Sequence, residues 1–163
     1  MIVVKWLLIA MAVAAAAMLL AAQFGLFQGR TPAYLGVREG RLKPPSKTPN
    51  SVSSQAALHP EHPMRAYAEI APLPLAGDGA ATIAQIRSIV EDMPGAELIA
   101  GEPDYLYVQF TTRLMKYVDD AEFWFDPAAH VVHVRSSSRV GRKDFGVNRA
   151  RIESIRARLA ATA

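Results

Sequence analysis

Three carboxylates, Asp119, Asp120 and Glu122, sit in a stretch that otherwise reads as an apolar strand. Aspartate is depleted in strands, so two in succession need a reason. A hard cation takes several oxygen ligands. Strand alternation, however, sends Asp119 and Asp120 to opposite sheet faces, which works against one shared ion. Ion pairing with a basic neighbour is the preferred reading; a metal site and a catalytic carboxylate are the alternatives. The histidines fall as His59/His62 and His130/His133, both at i, i+3 spacing. On a helix that spacing could hold zinc. The first pair brackets Pro60 and abuts Pro63, and the second lies at a turn and strand start, so both read as surface histidines. No metal and no cofactor is expected.

Hydroxyls come in two groups, at Ser53 and Ser54 beside Gln55, and at residues 136–138. Neither lies in a G-x-S-x-G pattern, and the chain has no phosphate loop, no dinucleotide glycine pattern and no H-E-x-x-H. The densest polar stretch is residues 135–151, RSSSRVGRKDFGVNRAR. Arg135, Arg139, Arg149 and Arg151 present planar forks suited to carboxylates or phosphates. Asp144 and Asn148 can fix a loop through local hydrogen bonds. This stretch reads either as a strand-to-helix connection stapled by arginines or as an anion-binding pocket.

These residues must be held by regular elements. Residues 64–75 read as a first strand ending near Pro72. Ile83, Ile86, Val90 and Met93 form one apolar helical face, capped by Asp78 or Thr82 and stopped by Pro94-Gly95. Extended segments follow at 96–100, 105–114, 117–125 and 131–136, with a turn starting at Asp126-Pro127. Ile152, Ile155 and Leu159 stripe a last helix, for which Asn148 is the expected N-cap. Consecutive strands with short turns imply an antiparallel meander. The expected fold is therefore α+β, two-layered, with two helices on one face of the sheet. The short turn after Asp126 sets a hairpin register in which Glu122 faces Arg135 and Asp120 faces Ser137.

Composition bounds what this framework can do. The chain has 163 residues, 51% of them hydrophobic, a net charge of +3 and no cysteine. Disulfides, thiolate zinc, iron–sulfur clusters and a cysteine nucleophile are excluded. Charge is segregated: +5 over residues 1–60, −8 over 61–126 and +6 over 127–163. The acidic and basic blocks are hairpin neighbours that neutralise each other, so no nucleic acid partner is expected.

Residues 6–22 form an unbroken apolar run, and the stretch 6–27 spans roughly 33 Å as a helix, against a hydrocarbon core of about 30 Å. A buried core helix is disfavoured in so small a domain. A cleaved signal peptide is a second alternative, but the small-residue sites lie inside the run. The reading is a single-pass anchor at 6–27, preceded by a short flank at 1–5. A proline-rich tether at 28–47 and a globular domain at 48–163 come after it. Eight of the 11 prolines lie between Pro32 and Pro74, which prevents a long helix there. Basic residues after the run favour a cytoplasmic domain by charge counting. An apolar segment this close to Met1 usually exports the chain on its C-terminal side. The expectation is a membrane protein, in the inner membrane if bacterial, with an extracytoplasmic domain.

The blocks 49–55 (PNSVSSQ), 119–123 (DDAEF) and 135–141 (RSSSRVG), the last running on to Asp144, Gly146, Asn148, Arg149 and Arg151, resemble the bacterial and plastid family called domain of unknown function 1499. The resemblance covers about residues 42–158. Family members often read P-N-C-V-S-S with a C-P pair shortly before; Ser51 and Pro44 stand at those places here, so any role of that cysteine pair is absent. The resemblance implies no activity, but suggests that the three blocks converge in space. The candidate binding residues are therefore Asn50, Ser53, Ser54, Gln55, Asp119, Asp120, Glu122, Arg135, Ser136, Ser138, Arg139, Asp144, Asn148 and Arg149. The expected function is a membrane-anchored envelope protein that binds a small anionic ligand, a lipid headgroup or a protein partner. The alternative is a hydrolase-like enzyme using a carboxylate of the 119/120/122 group with arginine-assisted substrate binding.

Overall fold

A computed structural model describes residues 1–162. A long apolar helix α1 (Ile2–Gln23) precedes a five-stranded antiparallel sheet on which helices pack. The strands are β1 (Ser51–Ser53), β2 (Ala96–Glu102), β3 (Tyr105–Thr111), β4 (Val118–Asp126) and β5 (Val131–Ser138), in the spatial order β1-β5-β4-β3-β2. Between β1 and β2 lie a single helical turn α2 (Arg65–Ala68) and the amphipathic helix α3 (Gly79–Glu91); α4 (Val147–Ala161) follows β5. The domain is α+β, as expected.

Alternation divides the sheet into two faces of different chemistry. Leu106, Val108, Phe110, Ala121, Phe123, Val132 and Val134 point one way and meet Ile83, Ile86 and Val90 of α3 and Ile152, Ile155 and Leu159 of α4. Burying each of the larger side chains contributes about 1.5–3 kcal/mol. α3 starts at Asp78, whose side chain accepts the Ala81 amide at 2.7 Å. It turns into β2 through Gly95, at φ 75°, where a Cβ would lie 2.2 Å from the Thr111 carbonyl oxygen. Only glycine closes that connection.

The hairpin register is as read from the turn: Glu122 opposes Arg135, Asp120 opposes Ser137 and Trp124 opposes His133. Asp126 Oδ1 accepts the amides of Ala128 and Ala129, which fixes the turn.

Two local expectations are corrected. The segment 64–75 is not a strand. It begins as the helical turn α2 and then touches the sheet only through isolated bridges, Glu69 to Ser53 and Leu73 to Val132. The true edge strand is β1, paired to β5. Pro72 and Pro74 lack amide donors and flank the Leu73 bridge, which leaves no room for a continuous pairing. Asn148 is not the N-cap of α4 either. The cap residue is Gly146 at φ 83°, and Asp144 Oδ2 accepts the Asn148 amide, so the capping carboxylate lies further upstream.

The second sheet face is covered by the proline-rich chain before β1. Leu42 and Pro45 are buried there. A tight turn with Glu39 and Gly40 at positive φ (51° and 69°) closes a two-bond bridge between Arg38 and Arg41. Residues 30–46 thus lie as a strap across the sheet.

Candidate functional site

The three blocks do converge, on β4, β5, β1 and the loop into α4, but the sheet divides their side chains between its two faces. On the helix side lie Asp119, Ser136, Ser138, Asp144 and Asn148. Asn148 is wholly buried and acts as a hub. Its Nδ2 donates to the Asn50 carbonyl oxygen (3.2 Å), Ser138 Oγ (3.0 Å) and Asp144 Oδ2 (3.0 Å), and its Oδ1 accepts from Ser136 and from Arg151 (2.9 Å). Arg151 Nη2 pairs with Asp119 at 2.7 Å while its guanidinium lies over the Phe110 ring. Burial pushes the Asp144 carboxyl up, but hydrogen bonds from Tyr67, Asn148 and Gly146 outweigh this and hold it below the usual carboxylate range. Asn50 Nδ2 donates to the Gly141 carbonyl oxygen at 2.7 Å. This side is a hydrogen-bonded staple holding β1, β5 and α4 together, in which Asn50 Oδ1 is the one buried side-chain atom left without a partner among the described residues.

The strap side is different. Arg139 grips Asp120 with two bonds, Nε to Oδ2 at 2.9 Å and Nη2 to Oδ1 at 2.8 Å. Tyr107 donates to the same carboxylate and accepts from Gln109 Nε2 at 2.7 Å. The bond to Asp120 pushes the Arg139 guanidinium pKa above its ordinary value, against the effect of burial. Glu122 has no exposed surface. It accepts the Gly36 amide of the strap at 2.7 Å, Tyr105 OH at 2.9 Å and Arg135 Nη1 at 3.4 Å. Burial, followed by the neighbouring Glu122 charge, drives the Tyr105 hydroxyl pKa far up, so Tyr105 remains a donor.

Arg135 is 3% exposed but loosely held. Its contacts are Glu122 and the Pro44 carbonyl oxygen, both at 3.4 Å, and Nη2 has no partner among the described residues. Burial pulls its pKa down and Glu122 with Asp120 pulls it back up. Arg135 and Arg139 line a cavity of about 250 Å³ under the strap, together with Arg30, Lys43, Ser137, Ser138 and the Asp120 carboxylate that Arg139 holds. Neither Arg30 nor Lys43 has a carboxylate within 4 Å among the described residues.

The remaining candidates serve the scaffold. Gln55 holds the strap, accepting the Leu42 amide at 2.8 Å and donating to the Gly40 carbonyl oxygen. Ser53 Oγ accepts the Gln55 amide. Arg149 stands apart and donates to the backbone carbonyl oxygens of Tyr67 and Glu69. Ser54 Oγ lies 3.0 Å from His133 Nδ1, whose Nε2 faces Asp126 at 3.5 Å. This is a serine–histidine–aspartate line that only the β1–β5 pairing creates. Ser54 Oγ is, however, already the acceptor for the Val134 amide at 2.9 Å and the Asp126 contact is long, so the line ties β1 to β5 rather than presenting a nucleophile. Tyr105, Tyr107, Gln109, Arg30 and Lys43 were not expected at the site. The tyrosines and Gln109 share the outward register of β3, which was legible; the strap cations had no sequence signal.

The family model described as Protein of unknown function (DUF1499) matches residues 41–159. The chain belongs to this family. Comparison with curated proteins and with solved structures finds no match. The DUF1499 match begins at Arg41, so it takes in the part of the strap that carries Lys43 and the Pro44 carbonyl. Ser51 Oγ accepts the Ser46 amide at 2.8 Å, so a hydrogen bond ties the strap to β1 at that point.

Proposed function

We propose that this DUF1499 protein is a membrane-anchored envelope domain that binds a small oxyanion, a phosphate or carboxylate group, in the cavity beneath its strap. The observation that carries the reading is Arg135: a buried guanidinium with a free Nη2, turned to a cavity flanked by two cations without acidic partners. Nη2 is not among the buried unpartnered atoms, so it still reaches open space, and an anion there would gain a charge-assisted hydrogen bond from it. Binding is favoured over hydrolysis because Asp119, Asp120 and Glu122 are each held by an arginine and offer no free base.

Helix α1 has a mean hydropathy of 2.4 over its most apolar window and none of that window is buried, which fits either a membrane anchor or a signal sequence. The anchor is the reading adopted here, with the domain on the extracytoplasmic side.

The oxyanion site is tested by thermal unfolding of the full chain in detergent with inorganic phosphate and with a phosphate monoester, against chloride at matched ionic strength. A ligand at 100 times its Kd stabilises by about 2.7 kcal/mol. The Arg30→Gln/Lys43→Gln double variant should retain its fold and lose at least tenfold in affinity. Equal shifts in variant and parent, or no shift in either, would refute the site.

A further inference from the structure

A second surface, on the pole of the domain beside the end of α1, combines apolar and basic side chains. Phe145 is 92% exposed, Leu114 65% and Val147 49%. Interleaved with them are Arg113, Lys116, Arg142 and Lys143, none within 4 Å of a carboxylate among the described residues. The two loops that carry them, 112–117 and 140–147, face each other across an open groove of about 730 Å³, lined by Tyr117, Val140, Lys143 and Phe145. Phe145 is held at φ 53°, a backbone region unusual for a bulky side chain. None of these residues belongs to the hydrophobic core.

The position of α1 says what covers this surface. Gln23, in the last turn of α1, donates from Nε2 to the Leu114 carbonyl oxygen at 3.1 Å. Phe27 packs on Tyr117 with ring centroids 5.7 Å apart. A Cβ on Gly29 would lie 2.7 Å from Val140, so the chain leaving the helix runs directly against the second loop. Loop 112–117 therefore lies level with the last turn of the apolar helix. If that helix spans a bilayer, its end lies at the headgroup layer, and so does the loop. Aromatic and apolar side chains ringed by lysine and arginine are the chemistry that layer accepts, and anionic headgroups complement the four unmatched cations.

We infer that loops 112–117 and 140–147 dock on the anionic phospholipid surface around the anchor, inserting Phe145 and Leu114 and holding the domain in a fixed orientation on the membrane. The inference rests on the anchor reading and is independent of the strap cavity, which lies on the other side of β5's end. A protein partner on this patch is the competing occupant.

The chain has no cysteine, so single labels are available. The full chain carrying Phe145→Cys or, separately, Leu114→Cys is labelled with an environment-sensitive fluorophore and reconstituted in phosphatidylcholine vesicles with and without phosphatidylglycerol. Ala129→Cys is the reference. It lies in the turn at the far end of the β4–β5 hairpin, about 25 Å away along an eight-residue strand. In anionic vesicles, labels at 145 and 114 should be blue-shifted and quenched by shallow nitroxide lipid at least threefold more than the label at 129. Quenching should weaken in pure phosphatidylcholine and in an Arg113→Gln/Lys116→Gln/Arg142→Gln/Lys143→Gln background. Arg30→Gln/Lys43→Gln should leave it unchanged, which separates this surface from the oxyanion site. If the chain resists carbonate extraction while labels at 145 and 114 stay as solvent-exposed as at 129, the docking is overturned and the patch is left to a protein partner. Extraction by carbonate overturns the docking together with the anchor.

Discussion

Glu122→Gln isolates the buried charge pair beneath the strap. Glu122 is fully buried and Arg135 nearly so. The new carboxamide keeps the size of the side chain, and its oxygen can still accept from Gly36 and Tyr105. Its NH2 then meets Arg135 Nη1, donor against donor, and the guanidinium loses its direct counter-charge. Removing one partner of a buried pair costs about 3–5 kcal/mol. For a domain of this size that is a fall of roughly 10–20 °C in Tm. Urea unfolding followed by Trp124, in a Trp6→Phe background that silences the helix α1 reporter, reads the change from within β4 itself. Arg135→Met alone leaves Glu122 unmatched and should be similarly costly. Combined with Glu122→Gln it should cost less than the sum, with a coupling of about 1 kcal/mol or more. Because Gly36 hangs from the same carboxylate, the single variant should also be nicked faster by protease within residues 30–46. A loss below about 1 kcal/mol, the size expected of a solvated surface pair, would refute the reading of Glu122 and Arg135 as a buried pair beneath the strap.

Asp144 gives a pH signature. Its folded carboxyl titrates below the ordinary aspartate value because four donors from Tyr67, Gly146 and Asn148 point at it, so its contribution is complete above about pH 4 and is lost as pH falls through the lower folded value. Asp144→Asn should destabilise by a constant amount above about pH 4, with the gap to the parent narrowing below it; a gap that shows no narrowing as pH falls below about 4 would contradict the hydrogen-bond account. For the anchor, the chain should stay in the membrane fraction through high-salt and carbonate washes, and protease added to intact spheroplasts should digest the domain. A mature N-terminus beyond residue 17 would instead mark α1 as a cleaved signal.

Local physics settled much of this protein before any tertiary contact was considered. The apolar run before residue 28, the spacing of Ile83, Ile86 and Val90, and the alternation through residues 105–134 depend only on the period of each element. A short turn with an Asp126 cap then fixed the pairing of Glu122 with Arg135, because register follows from turn length. The edge strand was misplaced for a corresponding reason. Residues 51–53 are too few to show a period, and the alternation at 64–75 is interrupted by prolines that the sheet cannot pair.

Packing alone sets who lies opposite whom across the domain. The sheet divides one polar sequence block into a hydrogen-bonded staple under α4 and an arginine-rich cavity under the strap, because neighbouring residues on a strand face opposite ways and different segments cover the two faces. Lys43 and Arg30 join Arg135 through contacts about a hundred residues apart, which no spacing rule encodes. The same holds for Phe145 and Leu114. Their sequence says only that they are apolar, and it is the packing of Gln23 and Phe27 against loop 112–117 and of Gly29 against Val140 that places them beside the end of α1.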